Sequence, residues 1–200
     1  MFKFGKFGHL PLPLYIGTSH HCIWDRMAAP GDVYERELKA LLSGDKKTID
    51  KMVKTCDEKE TSWYRSLLDN PFLVIRAAGS LGVDLVAMRW DYSFPIEVKS
   101  SCEDTMHFSK NPRLMEQANR MKNDCSSAQL LPIYAFRLKN QKGDPWRLFA
   151  LPMDCELRGA MGLLQRHIPK VEMNGNGNYI IRWNDGIRLS ELVDYMQFKM

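Results

Sequence analysis

Long apolar runs are missing from this 200-residue chain. None approaches the roughly 18 residues that a transmembrane helix needs. The N-terminal stretch of residues 1–16 is apolar but broken by Pro11 and Pro13, and it lacks a small-residue cleavage site, so no signal peptide is expected. Cysteine is scarce and shows no pairing pattern. Cys22, Cys56, Cys102, Cys125 and Cys155 are odd in number and scattered, with no Cys-x-x-Cys. That gives no support to a disulfide framework or a zinc site and points to free thiols in a reducing cytoplasm. His20-His21-Cys22 has no second half at ligand spacing. A large excess of one charge is also lacking. The net charge is +4, so overall balance says little about nucleic acid. Internal repeats are absent too.

What is present fits one globular domain with a sizeable core: 44% apolar and 26% charged residues. Basic residues gather in two places, Lys110, Arg113, Arg120 and Lys122, then Arg137, Lys139, Lys142 and Arg147. Such clusters suit phosphate neutralisation, and they equally suit solvated faces. Residues 1–30 read as an irregular arm. An apolar stripe of Val33, Leu38, Leu41 and Leu42 predicts a helix over 32–42, with Asp32 as its cap and Gly44 as its stop. Residues 43–70 carry Ile49, Met52, Val53, Trp63, Leu67 and Leu68 at helical spacing, which predicts a helical pair ended by Asn70-Pro71. Strands are expected at 72–76, 83–89, 95–99, 131–138 and 146–151. Helices are expected at 112–124, 154–167 and 190–196. Asn184-Asp185-Gly186 between 179–183 and 187–189 signals a hairpin. This order places a mixed sheet between helices.

Chemistry concentrates in residues 83–99. Asp84 lies in one short strand and Glu97-Val98-Lys99 in the next. Alternation along a strand sends Glu97 and Lys99 to one side and Val98 to the other, and cross-strand pairing can bring Asp84 beside Glu97. Two carboxylates and an amine on one spot suit hydrolysis of a phosphodiester. The carboxylate oxygens suit a hard divalent cation, which polarises the phosphate, and the lysine orients the attacking water or offsets developing charge. Arg76 and Ser80, just upstream, are suited to phosphate, since a guanidinium can engage it with two donors. Arg36 can do the same or pair with an acid.

The flanks of this pair resemble the archaeal Holliday junction resolvases of the restriction-endonuclease-like, PD-(D/E)xK superfamily. The residues that carry the resemblance are Tyr34-Glu35-Arg36-Glu37-Leu38, Val74-Ile75-Arg76-Ala77-Ala78-Gly79-Ser80, Val83-Asp84-Leu85-Val86-Ala87 and Ile96-Glu97-Val98-Lys99-Ser100. Glu116-Gln117, Leu131-Pro132-Ile133-Tyr134-Ala135 and Trp146-Arg147-Leu148 follow in order. The resemblance spans roughly residues 33–151 and, more weakly, 179–195; the arm and the segment 43–70 depart from it. It implies an α/β fold with a restriction-endonuclease-like mixed central sheet flanked by helices. It also implies Mg2+-dependent hydrolysis of DNA, with Mn2+ as a substitute, leaving a 5′-phosphate, by a homodimer acting on four-way or branched DNA. Glu35 becomes a further acidic ligand of the metal or of its water shell, beside Asp84 and Glu97. Lys99 completes the catalytic set. Gln117 contacts the site from the helix after the sheet, and Arg137 faces phosphate from a later strand. Open alternatives are a related nuclease acting on other DNA and a non-catalytic DNA-binding protein on the same fold. A cytoplasmic protein without a membrane partner is expected, and 43–70 is expected to extend the core or the dimer contact.

Overall fold

A computed structural model describes residues 32–77, 82–90 and 92–198. The arm at 1–30 and Ser80 lie outside the described residues. The described residues open with three short helices: α1 (Asp32–Leu42), α2 (Lys46–Met52) and α3 (Glu58–Ser66). Each begins or ends where the sequence supplies a device for it. Asp45 caps α2, accepting from the Thr48 amide at 2.8 Å. Asp57 and Glu60 form a reciprocal capping box on α3. Gly44, between α1 and α2, has φ +72°, and a Cβ there would sit 2.6 Å from the Leu67 carbonyl oxygen, so only glycine fits.

Strands β1 (Leu73–Arg76), β2 (Leu85–Arg89) and β3 (Tyr92–Ser101) pair in that order, antiparallel to one another. A short strand β4 (Thr105–His107) and the long helix α4 (Pro112–Ala128) then carry the chain to β5 (Ile133–Leu138), which pairs parallel with β3. β6 (Trp146–Ala150) returns antiparallel. The helix α5 (Gly159–His167), strands β7 (Glu172–Met173), β8 (Tyr179–Arg182) and β9 (Ile187–Arg188), and helix α6 (Leu189–Phe198) complete the described chain. Among the described residues, the central sheet has six strands in the order β1-β2-β3-β5-β6-β9, and a second sheet has the order β4-β8-β7. This is the expected class: a mixed central sheet flanked by helices, consistent with a restriction-endonuclease-like fold.

Alternation sorts the core into two layers. One face of the sheet (Val74, Leu85, Ala87, Ile96, Ile133, Ala135, Leu148) packs on α1, α3, α5 and α6. The other (Tyr134, Phe136, Phe149) packs on α4 and on the second sheet through Ala118, Met121, Tyr179 and Ile181. The helical pair at 43–70 belongs to the first layer. Ile49, Tyr64 and Leu67 are fully buried, so this segment is part of the core.

Several elements differ from the sequence reading. β3 begins at Tyr92 and contains Pro95, which pairs with Val86. The ladder to β5 starts only at Ile96, so the proline has a strand neighbour on one side and is tolerated. α4 runs on to Ala128 and ends at Gln129 in the left-handed conformation, φ 55°. The expected hairpin at 184–186 does not form. β8 belongs to the small sheet and β9 to the edge of the large one, and a 3₁₀ turn over Trp183–Asp185 crosses between them. Gly186 has φ −83° and serves close packing: a Cβ would lie 2.5 Å from the Phe149 ring and 2.7 Å from Arg147 Cβ.

Candidate active site

Asp84 stands immediately before β2, where the β2–β3 ladder ends. Its amide donates to the Ile96 carbonyl at 3.0 Å, and its own carbonyl accepts from Ala77 at 2.9 Å. Past this point β3 keeps β5 but loses its β2 partner, and the amide of Val98 donates instead to Asp84 Oδ2 at 2.8 Å. The carboxylate is thereby fixed against the strand that carries Glu97 and Lys99. Those two project to the α4 face, as period-2 alternation requires. Lys99 Nζ donates to Glu97 Oε1 at 2.5 Å, and Gln117 Nε2, from α4, donates to the same oxygen at 2.7 Å. Gln117 Oε1 lies 3.4 Å from Lys99 Nζ, which closes a three-residue ring.

Glu97 is 2% exposed, and its Oε2 is buried without a hydrogen-bond partner among the described residues. Burial holds its carboxyl above the ordinary 4.5; Lys99 opposes the rise and the Asp84 charge adds to it. Asp84 is likewise raised above 3.8, first by burial and then by Glu35, against the pull of the Val98 amide, Lys99 and Arg76. Two partly desolvated carboxylates that resist ionising together can be relieved by a cation between them. The donor set is all oxygen, and Mg2+ is commonly held by one or two carboxylates plus water and phosphate. With an orphaned buried oxygen on Glu97, Asp84 and Glu97 fit such an ion.

Glu35 sits on α1 and pairs with Arg76 on β1 at 2.6 Å. It stands in the electrostatic surroundings of Asp84. Among the described residues, however, no three His, Cys, Asp or Glu side chains converge as a ligand set. Arg36 is exposed on the same helix. The structure therefore brings together Asp84, Glu97, Lys99 and Gln117, with the Glu35–Arg76 pair beside them.

Arg137 requires a correction. It aligns with Ser100 in the β3–β5 register, which puts its side chain on the face opposite to Lys99. There it grips Glu37 through Nε at 2.7 Å and NH2 at 3.4 Å and lies 4.6 Å over the Tyr34 ring. Trp146 Nε1 donates to the same Glu37 carboxylate at 3.1 Å. Only 17% of the Arg137 side chain is exposed, and its charge is spent on the fold. A strand lysine or arginine can face either side; the register that pairs Arg137 with Ser100 sets the side, and Glu37 of α1 meets the guanidinium there. Sequence reasoning also gave no role to Tyr134, the fully buried ladder partner of Glu97. The signal that would have found it is the parallel register, which no local pattern encodes.

No protein-family model and no curated protein sequence matches the chain. Among solved structures, it is similar to Hjc of Archaeoglobus fulgidus, a Holliday junction resolvase from an archaeal hyperthermophile. That likeness has 19% sequence identity and a TM-score of 0.42, and covers 68% of this chain and 97% of that one. Among the described residues, no helix is long and apolar enough to cross a membrane.

Proposed function

We propose that this chain is a metal-dependent endonuclease that hydrolyses phosphodiester bonds in DNA, with the four-way junction as its substrate. The observation that carries the reading is the convergence of Asp84, Glu97 and Lys99 in a desolvated corner where β2 parts from β3. Asp84 and Glu97 are the residues that would hold Mg2+ or Mn2+. Bound there, the ion supplies Lewis acidity at the scissile phosphate. Lys99 orients the attacking water and offsets charge on the phosphate. Gln117 keeps Lys99 and Glu97 in register with each other. Glu35 serves the outer shell of the ion, and Arg76, 40% exposed at its side chain, takes a phosphate oxygen.

The choice of a junction rests on the sequence resemblance. A symmetric junction needs two cuts, and a two-fold homodimer offers two sites related by the same symmetry. The experiment compares a synthetic four-way junction, linear duplex and supercoiled plasmid, each with Mg2+ and with excess chelator. Paired cuts in the junction that need Mg2+ and leave 5′-phosphates are expected. Equal cutting of duplex would make this a general nuclease. Tight binding without cutting would make it a binding protein. Full cleavage in chelator would remove the cation site.

A further inference from the structure

Tyr134 is fully buried on β5 and is the ladder partner of Glu97, so the two side chains lie side by side on the α4 face of the sheet. Phe108 pins its ring edge-on at 5.5 Å, and the same Phe108 packs on Tyr179 at 5.9 Å. The ring is thus held as a core ring would be, and Phe136, two residues along on the same face, shows that phenylalanine is accommodated in this layer. The hydroxyl adds nothing to that packing. It is buried without a hydrogen-bond partner among the described residues, and so is Oε2 of Glu97. A buried donor and a buried acceptor left unbonded each carry a desolvation penalty that packing does not return. A phenolic hydroxyl is a donor, and the β3–β5 register sets this one beside the acid that would hold the cation.

We propose that Tyr134 is a positioning residue of the carboxylate pair: its hydroxyl, which makes no bond to Glu97 Oε2 in this structure, donates to the oxygen shell of a cation held by Asp84 and Glu97. This rests on the reading of Asp84 and Glu97 as the cation site. Ligating carboxylates are commonly steered by such an outer donor, and loss of one weakens metal binding roughly 10–100-fold. The hydroxyl neither touches the reacting atoms nor moves a proton; it orders the oxygen shell that the free oxygen of Glu97 faces.

The test is titration of Mn2+ into wild type, Tyr134→Phe and Glu97→Gln without DNA, following loss of the free-ion electron paramagnetic resonance signal, alongside thermal melts. Wild type should bind, Glu97→Gln should bind far more weakly, and Tyr134→Phe should bind about 10-fold more weakly or worse while melting at or above the wild-type temperature. Wild-type affinity in a folded Tyr134→Phe overturns the inference and leaves the cation site standing. Collapse of the Tyr134→Phe fold also overturns it, because the hydroxyl would then be structural. If wild type binds no Mn2+, the cation site itself fails and takes this inference with it.

Discussion

Lys99 turns back along its own strand to Glu97, and its ammonium meets Oε1 at 2.5 Å. The two stand two residues apart on one face, so the contact is local to β3 and is set by alternation alone. Gln117 holds the same oxygen from α4. Glu97 therefore offers one oxygen already neutralised and one left over.

Replacing Lys99 with Ala should lower single-turnover cleavage by roughly 10²–10³-fold, the usual loss for one preorganised charge at a reacting centre. The fold should persist, since Val98 and not Lys99 packs on the main core cluster. Circular dichroism and cleavage rates measured together check this; a wild-type rate would take Lys99 out of the chemistry.

The raised carboxyls set a pH dependence. Asp84 and Glu97 bind protons more readily folded than unfolded, so their contribution to stability is full below the ordinary 3.8 and 4.5 and is lost as pH rises through the raised values. The metal-free protein should thus lose stability as pH climbs out of the ordinary carboxylate range, and Asp84→Asn with Glu97→Gln should flatten that slope. Mg2+ should reverse it, because protons compete with the ion. Melting temperatures across pH, with Mg2+ or chelator, read both slopes. An unchanged slope in the double variant would show that these two groups do not titrate as described.

Glu37→Ala should cost about 1–3 kcal/mol, because it strips a charged acceptor from Arg137 and from the Trp146 indole. Arg137→Ala should cost a similar amount, and the double variant less than the sum, since the two share one interaction. At fixed salt, Arg137→Ala should leave junction affinity within twofold. Chemical denaturation gives the coupling, and a gel-shift series gives the affinity. A large loss of affinity in a stable variant would return Arg137 to the DNA.

Asp144 is the most demanding acid of the core. It is 2% exposed and accepts from Tyr64 Oη at 2.8 Å, from the Trp146 amide at 2.9 Å and from the Ser190 amide at 2.8 Å. Asp144→Ala should cost about 3–5 kcal/mol, as expected for breaking a buried charged network. Tyr64→Phe should cost about 1 kcal/mol. Because Tyr64 and Ile49 come from the 43–70 segment, joining Leu42 to Pro71 through a short linker should unfold the body. Equilibrium unfolding and soluble yield decide both points.

Local pattern made much of this legible. The apolar stripe of Val33, Leu38 and Leu41 marks α1, and the alternation around Glu97, Val98 and Lys99 places the acid and the amine together. Asp84 was legible as a cross-strand neighbour. What local pattern does not hold is partnership over distance. Arg137 meets Glu37 across 100 residues, and Tyr134 meets Glu97 only because β3 and β5 run parallel in one particular register. Asn184-Asp185-Gly186 misled for a different reason. A glycine chosen for close approach to Phe149 has the same letter as one chosen for a turn.

The turn at Trp183–Asp185 does more than redirect the chain. Its indole donates to the Pro145 carbonyl at 3.0 Å, and the Arg147 guanidinium lies 3.7 Å over the ring, so one side chain belongs to both sheets. Neither sheet can open at this seam without the other. Amide protons of β8 should then exchange with deuterium on the same slow clock as those of β6, although the two strands share no hydrogen bond, and a three-stranded sheet too small to persist alone inherits the lifetime of the larger one.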